Sequence, residues 1–312
     1  MHGGGNNRVF RVSASRGTAY LLKAYFHAPS DPRNRFEHEH TFYRLLQKAG
    51  ISQVPQAVGW DPAERLGLFE FVSHPKLQPE DVGAGHIAEC ARFFNRINAA
   101  RTLEEARSVP TASEACFSLT QHVEVIEKRV QRLAALEPGP ATPGRVLEFV
   151  IERLLPAWER IRGDVSTRSA DDVPLPETLR CLSPSDFGFH NALSTPSGLL
   201  FLDFEYAGWD DPAKMACDFF CQPDIPAPGE HLAAFIRETC LPGWDPAAYA
   251  ARIRTLLPAY RIKWACIILN VFLKEASRRR AFADSKLLSD AACELQLAKA
   301  NTQIEALAGF LP

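Results

Sequence analysis

The sequence Leu182-Ser183-Pro184-Ser185-Asp186-Phe187-Gly188-Phe189-His190-Asn191 is followed closely by Leu200-Phe201-Leu202-Asp203-Phe204-Glu205. Between them, a Thr-Pro-Ser-Gly segment predicts a reversal of the chain, because Pro, Ser and Gly favour turns and interrupt strand pairing. We therefore expect a β-hairpin with residues 191–194 as its first strand and residues 199–204 as its second. The two ends of a hairpin lie side by side, so Asn191 and Asp203 are predicted to be neighbours, with Asp186 on the loop before them.

Two aspartates and an asparagine in this arrangement suit phosphoryl transfer from a nucleotide. One carboxylate accepts the proton of an attacking hydroxyl group, while a second carboxylate and an amide oxygen bind Mg²⁺ on the phosphates. Taken alone, Asp186 is also explained as a turn former near glycine, and Asp203 as a solvated carboxylate at a strand end. The combined pattern is more specific, and it continues into Tyr206-Ala207-Gly208-Trp209-Asp210-Asp211-Pro212.

With these residues the chain resembles the aminoglycoside phosphotransferase and choline kinase family, which shares the protein-kinase-like fold. The resemblance implies an α+β, two-lobed fold, with a small N-terminal antiparallel sheet plus one helix and a larger, mostly helical C-terminal lobe. It also implies that Asp186 is the catalytic base, that Asn191 and Asp203 bind the metal, and that Asp211 supports the catalytic loop. ATP and Mg²⁺ are the implied cofactors.

Two departures from known patterns bear on the activity. Members of this family usually carry His-Gly ahead of the base, whereas this chain has Pro184-Ser185. Glu205 takes the place of the Gly found in protein kinases, which favours the small-molecule branch of the fold. The sequence also lacks an activation segment ending in Ala-Pro-Glu, so a kinase acting on proteins is disfavoured.

The N-terminal residues offer a phosphate-binding loop and a lysine. Gly4, Gly5 and Asn6 precede an alternating strand, and their backbone amides are expected to approach the phosphates. The alternative is a flexible terminus, which is the more common explanation of a glycine run at the start of a chain. Lys23 lies inside the apolar run of residues 18–26, where an unpaired ammonium group is costly to bury. An edge-strand lysine that reaches solvent is the alternative. The preceding glycine loop favours a phosphate-binding role for Lys23.

Glu39 is the predicted partner of Lys23. In the helix expected after residue 32, Glu39 lies on the inward apolar stripe, whereas Glu37 lies on a solvated face. The residues behind Glu39, a Leu-Leu pair and then Gly and Val-Pro, also match the family pattern. His38 and His40 lack the i, i+4 spacing of a helical zinc site, so we predict surface or interface histidines there.

Two strand-like runs after this helix lead into a segment that resembles the hinge of the family. The resemblance implies that the backbone of Glu70 and Val72 binds the adenine base there. We accordingly place a nucleotide-binding lobe at residues 1–73 and a catalytic and acceptor-binding lobe at residues 74–312.

The composition is typical of a globular chain that can bury a large core. The 312 residues are 46% hydrophobic and carry a net charge of -2, and without a basic stripe we expect no nucleic-acid partner. The longest apolar stretch, residues 264–273, is too short to span a bilayer, and no N-terminal signal segment is visible, so we expect no membrane association. Eight scattered cysteines without a C-x-x-C pair fit reduced thiols and a cytoplasmic location.

The chain beyond the hinge is predicted to be mainly helical. Apolar stripes and the breaks made by Pro and Gly predict helices around residues 87–97, 123–133, 145–162, 230–239, 246–256, 258–282 and 284–307.

The acceptor is the least determined part of the prediction. Residues 207–312 carry 12 acidic and 12 basic residues, which disfavours a polycationic antibiotic. Rings on the C-terminal helices are candidates for a cage around a choline-like cation, although such residues usually pack in a core: Trp209, Trp244, Tyr260 and Trp264. The basic run at residues 277–280 is assigned no role.

We therefore predict an enzyme, a small-molecule kinase that transfers the γ-phosphate of ATP to a hydroxyl group. A sugar or amino sugar is the favoured acceptor, with an aminoglycoside or a choline-like amino alcohol as further candidates. The alternative is a nucleotide-binding regulatory protein that has kept the fold and lost turnover. The sequence leaves the oligomeric state open.

Overall fold

The computed structural model of the chain describes residues 7–14, 17–28, 31, 33–139, 143–167, 172–273 and 290–309. The chain divides into two compact units, one formed by Met1–Ala115 with Glu177–Tyr249 and the other by Cys116–Pro176 with Ala250–Pro312. The first unit contains all the described residues that the sequence predicts as catalytic, nucleotide-binding or metal-binding. The predicted lobe boundary after residue 73 lies within this unit and stays a prediction.

A four-stranded antiparallel sheet lies at the N-terminal side of the first unit. Its strands are β1 (Arg8–Ser13), β2 (Ala19–Ala24), β3 (Ala57–Asp61) and β4 (Leu66–Glu70), in the order β1-β2-β4-β3. In this register Lys23 lies opposite Gly67 on β4. The sequence predicts all four strands, with ends that differ by a few residues.

Helix α1 (Arg35–Lys48) contacts this sheet and has well-defined ends. The side chain of Asn34 caps its first turn by accepting a hydrogen bond from the backbone N–H of Glu37. At the other end, Gly50 adopts φ 68° and donates to the carbonyl of Gln47, while Ile51 donates to the carbonyl of Leu46, which is a Schellman motif.

An aromatic cluster fixes α1 against the sheet. The ring of Tyr43 lies 5.1 Å from Phe69 on β4 and 5.8 Å from Trp60 on β3, and Trp60 lies 5.8 Å from Phe36. Tyr43, Phe69 and Phe36 are buried. This packing gives α1 one orientation on the sheet, and it places the buried Glu39 on the same side as Lys23.

Two short strand pairs lie at and around the segment of residues 182–205. The predicted hairpin is β6 (Ala192–Thr195) paired with β7 (Gly198–Phe201). The first strand has the predicted length but begins one residue later, and the second is two residues shorter than predicted and begins one residue earlier. The second pair, β5 (Cys181–Ser183) with β8 (Gly208–Asp210), was not predicted, because three residues are too few to show an alternating pattern.

Three helices complete the core of the first unit: α2 (Ala84–Ala99), α6 (Pro212–Cys221) and α7 (Leu232–Thr239). Phenylalanine rings connect them to the hairpin. Phe93 on α2 stacks on Phe201 of β7 at 4.1 Å, and Phe187 lies 5.4 Å from Phe201 and 5.3 Å from Phe219 on α6. Phe187 follows Asp186 directly, so this packing anchors the loop that carries Asp186.

The second unit is helical. It contains α3 (Leu119–Ala134), α4 (Gly144–Phe149), a π-helical turn (Val150–Leu154), α5 (Leu155–Thr167) and α9 (Asp290–Glu305). Inside it, the buried Trp158 donates to Glu127 at 2.6 Å, and the buried His122 and Tyr260 hydrogen-bond at 2.7 Å. All eight cysteines of the chain are thiols.

The helix α8 (Pro246–Leu269) corrects one prediction. The sequence predicts a break at Pro258, but the helix continues through it. Proline in a helix interior costs roughly 3 kcal/mol, and the neighbouring Leu256, Leu257 and Tyr260 are buried, so their packing offsets that cost. The helix ends at Leu269 and is followed by a 3₁₀ turn (Asn270–Phe272), well before the predicted end near residue 282. The predicted start of the next helix at residue 284 lies outside the described residues.

The same helix has the length and composition of a membrane span over Pro246–Phe272, with a mean hydropathy of 1.2 in its most apolar window. However, 72% of that window is buried inside the protein. This burial is typical of a core helix.

Candidate active site

Three carboxylates surround the buried side chain of Lys23. Its Nζ lies 2.6 Å from Glu39 Oε2, 2.6 Å from Asp203 Oδ1 and 3.6 Å from Glu205 Oε2. We call these four residues the lysine cluster. Burial disfavours the ammonium group, but the charges of Asp203, Glu39 and Glu205 outweigh it and raise the pKa of Lys23 well above its usual value. Lys23 is therefore a permanent cation at physiological pH.

Helix α1 contacts the segment after the hairpin through two consecutive residues. Glu39 also accepts a hydrogen bond from the backbone N–H of Phe204 through its Oε1, at 3.1 Å. His38 donates from Nδ1 to the carbonyl of Ala207 at 2.8 Å. The prediction of a surface or interface position is therefore wrong for His38, which is buried, and burial lowers its pKa so that the neutral ring is favoured. His40 packs against Trp60 at 5.0 Å.

A second buried cation, Arg35, lies on the other side of Glu205. Arg35 Nε is 3.6 Å from Glu205 Oε1, and Arg35 Nη2 is 2.9 Å from Asp31 Oδ2. Asn7 donates from Nδ2 to Glu205 and accepts through Oδ1 from the backbone N–H of Phe26 at 3.0 Å. Asn7 thereby connects the start of β1 with the residue that follows Asp203-Phe204.

Burial, together with the negative charge of Asp203, raises the pKa of Glu205 to about 7, although Lys23 opposes the shift. From the sequence, Glu205 distinguishes branches of the fold, and neither Arg35 nor Asn7 is predicted as a site residue. Both lie far from the hairpin in the sequence, and nothing local marks a side chain whose partner is so remote. The acidic residue two places after Asp203 is the only sequence signal for this part of the site.

The backbone is strained at the candidate base and at a candidate metal ligand. Ser185, Asp186 and Asp203 have φ values of 47°, 36° and 63°, in the left-handed region that non-glycine residues seldom adopt. Such strain costs about 1–3 kcal/mol per residue and is typical of sites where function fixes the direction of a side chain. All three positions lie in residues 182–191 and 200–205, the two segments with the predicted catalytic and metal-binding residues.

Asn191, at the end of the 3₁₀ turn that leads into the hairpin, contacts Asp186 on the loop before that turn. Asn191 donates from Nδ2 to the carbonyl of Asp186 at 3.1 Å and to its carboxylate Oδ2 at 3.4 Å. The carbonyl of Asn191 accepts from the backbone N–H of Leu202 at 2.8 Å, which places Asn191 beside Asp203. Since the amide nitrogen faces Asp186, the amide oxygen is left for another ligand.

The oxygen ligands that Asn191 and Asp203 offer fit a hard divalent cation such as Mg²⁺. Asn191 and Asp203 offer oxygen ligands, and Lys23 with Arg35 provides two positive charges against the carboxylates of Asp31, Glu39, Asp203 and Glu205. Among the described residues, no three His, Cys, Asp or Glu side chains are grouped as a metal site. Mg²⁺ commonly binds one or two protein carboxylates and completes its shell with phosphates and water.

The other residues selected from the sequence lie around this centre. Asp211 is fully buried and accepts from the backbone N–H of Ala213 at 2.7 Å, so it caps α6 directly after β8. Glu70 ends β4, and its backbone N–H donates to the carbonyl of Gln56 at 2.8 Å. Val72 follows outside the strand and is partly exposed. Gly4, Gly5 and Asn6 lie outside the described residues.

The candidate cage residues are engaged in packing. Trp209 donates from Nε1 to the carbonyl of Ala106 at 3.1 Å. Trp244, Tyr260 and Trp264 are each at most 8% exposed. These rings therefore behave as core residues, which was the alternative that the sequence left open.

Comparison with known proteins gives a family match. Residues 1–250 match a family described as the phosphotransferase enzyme family. Comparison with curated protein sequences finds no significant match.

Solved structures resemble the chain over nearly its whole length. A choline/ethanolamine kinase family protein from Mesorhizobium loti is 18% identical, with a TM-score of 0.57, covering 96% of this chain and 91% of its own. A choline kinase from Streptococcus pneumoniae is 14% identical, with a TM-score of 0.58, covering 97% and 92%. A spectinomycin phosphotransferase solved with ADP and spectinomycin is 12% identical, with a TM-score of 0.61, covering 96% and 89%.

At these identities the likeness shows the fold. The predicted α+β, kinase-like fold, with a small antiparallel sheet and a mostly helical remainder, is thereby confirmed.

Proposed function

Because the chain belongs to the phosphotransferase enzyme family, we propose that it transfers the γ-phosphate of ATP to a hydroxyl group of a small metabolite. The family and the fold make it a small-molecule kinase. The observation that carries the finer proposal is the meeting of Lys23 with both Glu39 and Asp203 at 2.6 Å, beside the pair formed by Asp186 and Asn191.

Asp186 is the proposed base. Its carboxylate accepts the proton of the acceptor hydroxyl while the hydroxyl oxygen forms a bond to the γ-phosphorus and the bond from that phosphorus to the β-phosphate oxygen breaks. The left-handed backbone at Asp186 and the hydrogen bonds from Asn191 hold the carboxylate in one direction. Pre-organisation of this kind lowers the barrier without any movement during the reaction.

Lys23 is proposed to bind the phosphates of the nucleotide, and Glu39 to hold Lys23 in place. Asn191 and Asp203 would hold Mg²⁺, which when bound neutralises the charge of the β- and γ-phosphates. Because Asp203 already contacts Lys23, the two groups that would meet the phosphates are pre-assembled.

The adenine base and the phosphates of the nucleotide are proposed to lie against the N-terminal sheet. Glu70 uses its backbone N–H within the sheet, while no described residue accepts from the backbone N–H of Val72, so that group is available to an adenine base. Gly4, Gly5 and Asn6 are proposed to cover the phosphates. We keep the division into lobes at residues 1–73 and 74–312 as part of this proposal.

A sugar or amino sugar is the proposed acceptor. The four rings considered for a choline cage are engaged in packing, and the balanced charge of residues 207–312 disfavours a polycation. We further propose that the enzyme acts in the cytoplasm, without a nucleic-acid or membrane partner. The buried, thiol form of most cysteines supports a reducing compartment.

Replacement of the base tests this function. We expect Asp186→Ala to lower kcat by about 10²- to 10⁴-fold while ATP with Mg²⁺ still raises the melting temperature as in the unmodified protein. The assay is a screen of sugars and amino sugars for ADP release. Asp164→Ala, at an exposed position on α5, is the matched control and should leave both readouts unchanged. Loss of nucleotide binding with turnover preserved would contradict the assignment.

The alternative is a nucleotide-binding regulatory protein without turnover, which Pro184-Ser185 ahead of Asp186 favours. In that case ATP with Mg²⁺ would stabilise the protein, but no acceptor would release ADP. The same screen therefore separates the two functions.

A further inference from the structure

We propose that His190 is a positioning residue that holds the carboxylate of Asp186 toward the acceptor, an inference that rests on the proposed function. His190 Nε2 lies 3.3 Å from Asp186 Oδ1, and Asn191 Nδ2 lies 3.4 Å from Asp186 Oδ2. Each carboxylate oxygen thus has one nitrogen beside it, and the two nitrogens come from consecutive residues. Two such contacts oppose rotation of the carboxylate about its Cβ–Cγ bond.

The space for the His190 ring depends on Gly188. A Cβ atom added at residue 188 would lie 2.9 Å from His190 Nδ1 and 3.2 Å from His190 Cε1. The backbone of Gly188 is extended, at φ 171°, so its conformation alone does not require glycine. Glycine at residue 188 therefore leaves room for the ring of His190.

The ring has one polar contact that orients it among the described residues. His190 Nδ1 is buried and has no hydrogen-bond partner there, while Nε2 faces Asp186. A histidine that served only to fill space would gain nothing from placing one nitrogen beside a carboxylate and leaving the other without a partner. The arrangement is explained if the contact with Asp186 is the one that matters.

The backbone of His190 is anchored independently of its ring. Lys76 donates from Nζ to the carbonyl of His190 at 3.0 Å, and Asn191 donates from its backbone N–H to the carbonyl of Gly188 at 3.1 Å. The Asn191 bond closes the 3₁₀ turn Phe189–Asn191, and Lys76 holds the carbonyl of its middle residue. A ring on a fixed turn can hold a carboxylate that belongs to a strained loop.

This position gives the chain an imidazole beside its base despite the Pro184-Ser185 sequence. The missing histidine would precede Asp186, whereas His190 follows it by four residues. The support for Asp186 therefore comes from a residue that follows it in the sequence instead of one that precedes it.

Kinetics of three variants test the inference. We expect His190→Ala and Gly188→Ala each to lower kcat about tenfold or more with the KM for ATP unchanged, because a misplaced group affects the transfer step. His190→Gln, which keeps an N–H donor, should recover kcat to within about threefold. His74→Gln, at an exposed position, is the matched control and should behave as the unmodified protein.

The double variant Gly188→Ala/His190→Ala should be no slower than His190→Ala alone, because both changes remove one contact. An unchanged kcat in His190→Ala overturns the proposal. A kcat in His190→Gln as low as in His190→Ala, which points to ring packing, overturns it as well.

A measurement without turnover keeps this proposal separate from the proposed function. In the nucleotide-free protein, Asp186→Asn should shift the Nε2 imidazole NMR signal of His190, assigned by its loss in His190→Gln, and leave the signals of the other histidines in place. No shift overturns the positioning role. If the signal shifts but the protein phosphorylates no acceptor, the contact between His190 and Asp186 is supported and the proposed function is rejected.

Discussion

Lys23 contacts carboxylates that come from two distant parts of the sequence. Glu39 is almost fully buried, whereas about a third of the Asp203 side chain is exposed. Since an exposed carboxylate is free to exchange partners and a buried one is not, Glu39 is suited to hold Lys23 while Asp203 meets the metal and phosphates. The Lys23–Glu39 and Lys23–Asp203 pairs have the same 2.6 Å distance, so the difference in burial between Glu39 and Asp203 is what distinguishes their roles.

Glu39→Gln tests this difference. We expect kcat/KM for ATP to fall about 10²-fold, because a neutral amide no longer fixes the ammonium group of Lys23 and the lysine turns toward Asp203 and Glu205. Steady-state kinetics at varied ATP measure the effect. Glu37→Gln, on the exposed face of the same helix two residues away, should change kcat/KM by less than about twofold. Equal losses in the two variants would contradict the assignment.

Glu205 makes stability depend on pH in a defined window. Its pKa is about 7 in the folded protein against a usual 4.5, because burial and Asp203 disfavour its charged form. The folded state therefore holds a proton that the unfolded state has released, and the resulting stabilisation is complete below pH 4.5 and lost as the pH rises to about 7.

Glu205→Gln cannot titrate, so it lacks this contribution. We expect the free energy of unfolding of the variant, relative to that of the unmodified protein, to increase as the pH rises from 4.5 to 7. At higher pH the difference between the two proteins should stay constant. Urea unfolding at four pH values across this range measures the difference. A difference that does not vary with pH would show that Glu205 keeps its usual pKa.

Single residues were predictable where a local pattern marks them. Glu39 could be chosen over Glu37 because helical spacing separates an inward stripe from an outward one. His38 could not be placed correctly, because its partner, the carbonyl of Ala207, is 169 residues away in the sequence. Asn7 and Arg35 were missed for the same reason.

At the scale of elements, β8 packs closely at Gly208 against the backbone of residues 110–112. A Cβ atom at this position would lie 2.4 Å from the carbonyl oxygen of Pro110 and 2.5 Å from the backbone nitrogen of Ala112. Both neighbours belong to a segment that hydrogen-bonds with Trp209, which donates to Pro110 and accepts from Ala112. Neither neighbour can move without breaking that contact.

Gly208→Ala should therefore destabilise the protein by about 3 kcal/mol, at the upper end of the usual cost of overpacking. Chemical unfolding followed by circular dichroism measures it. Gly85→Ala in α2 is the control, because open space surrounds that glycine, and alanine there should be neutral or stabilise by up to about 1 kcal/mol. Similar stabilities for the two variants would contradict the close approach.

Elements were predictable in proportion to their length and periodicity. The sheet strands, α1 and the hairpin β6–β7 were predicted because turn residues and alternation mark them. The pair β5–β8 is too short for alternation to show. The break expected at Pro258 failed because the packing of α8 offsets the local preference of proline.

At the scale of the whole molecule, the proposed nucleotide site lies entirely within the first unit. Ligand binding to the folded state adds stability by mass action, about 2.7 kcal/mol at a hundred times the Kd. Hydrogen exchange should therefore slow when ATP and Mg²⁺ are added, most of all in β2 and around β8. Asp203→Asn should lose the part of this protection that requires Mg²⁺. Protection by ATP with Mg²⁺ that is unaffected in Asp203→Asn would contradict the role of Asp203.

The family resemblance predicted the fold class, but the division into two units could not be read from composition. The first unit is interrupted by residues 116–176, which join residues 250–312 in the second unit. A contact between segments so far apart is decided by tertiary packing, which local sequence does not report.

The lysine cluster also has a consequence for how the protein is made. Glu39 is 16 residues from Lys23, but Asp203 is 180 residues away, and Asn7 is 198 residues from Glu205. Closing a loop of that length costs about 4–5 kcal/mol of chain entropy, so these contacts form late in folding. On the ribosome, Glu39 is therefore the only one of the three carboxylates available to Lys23 until nearly two thirds of the polypeptide has been synthesised.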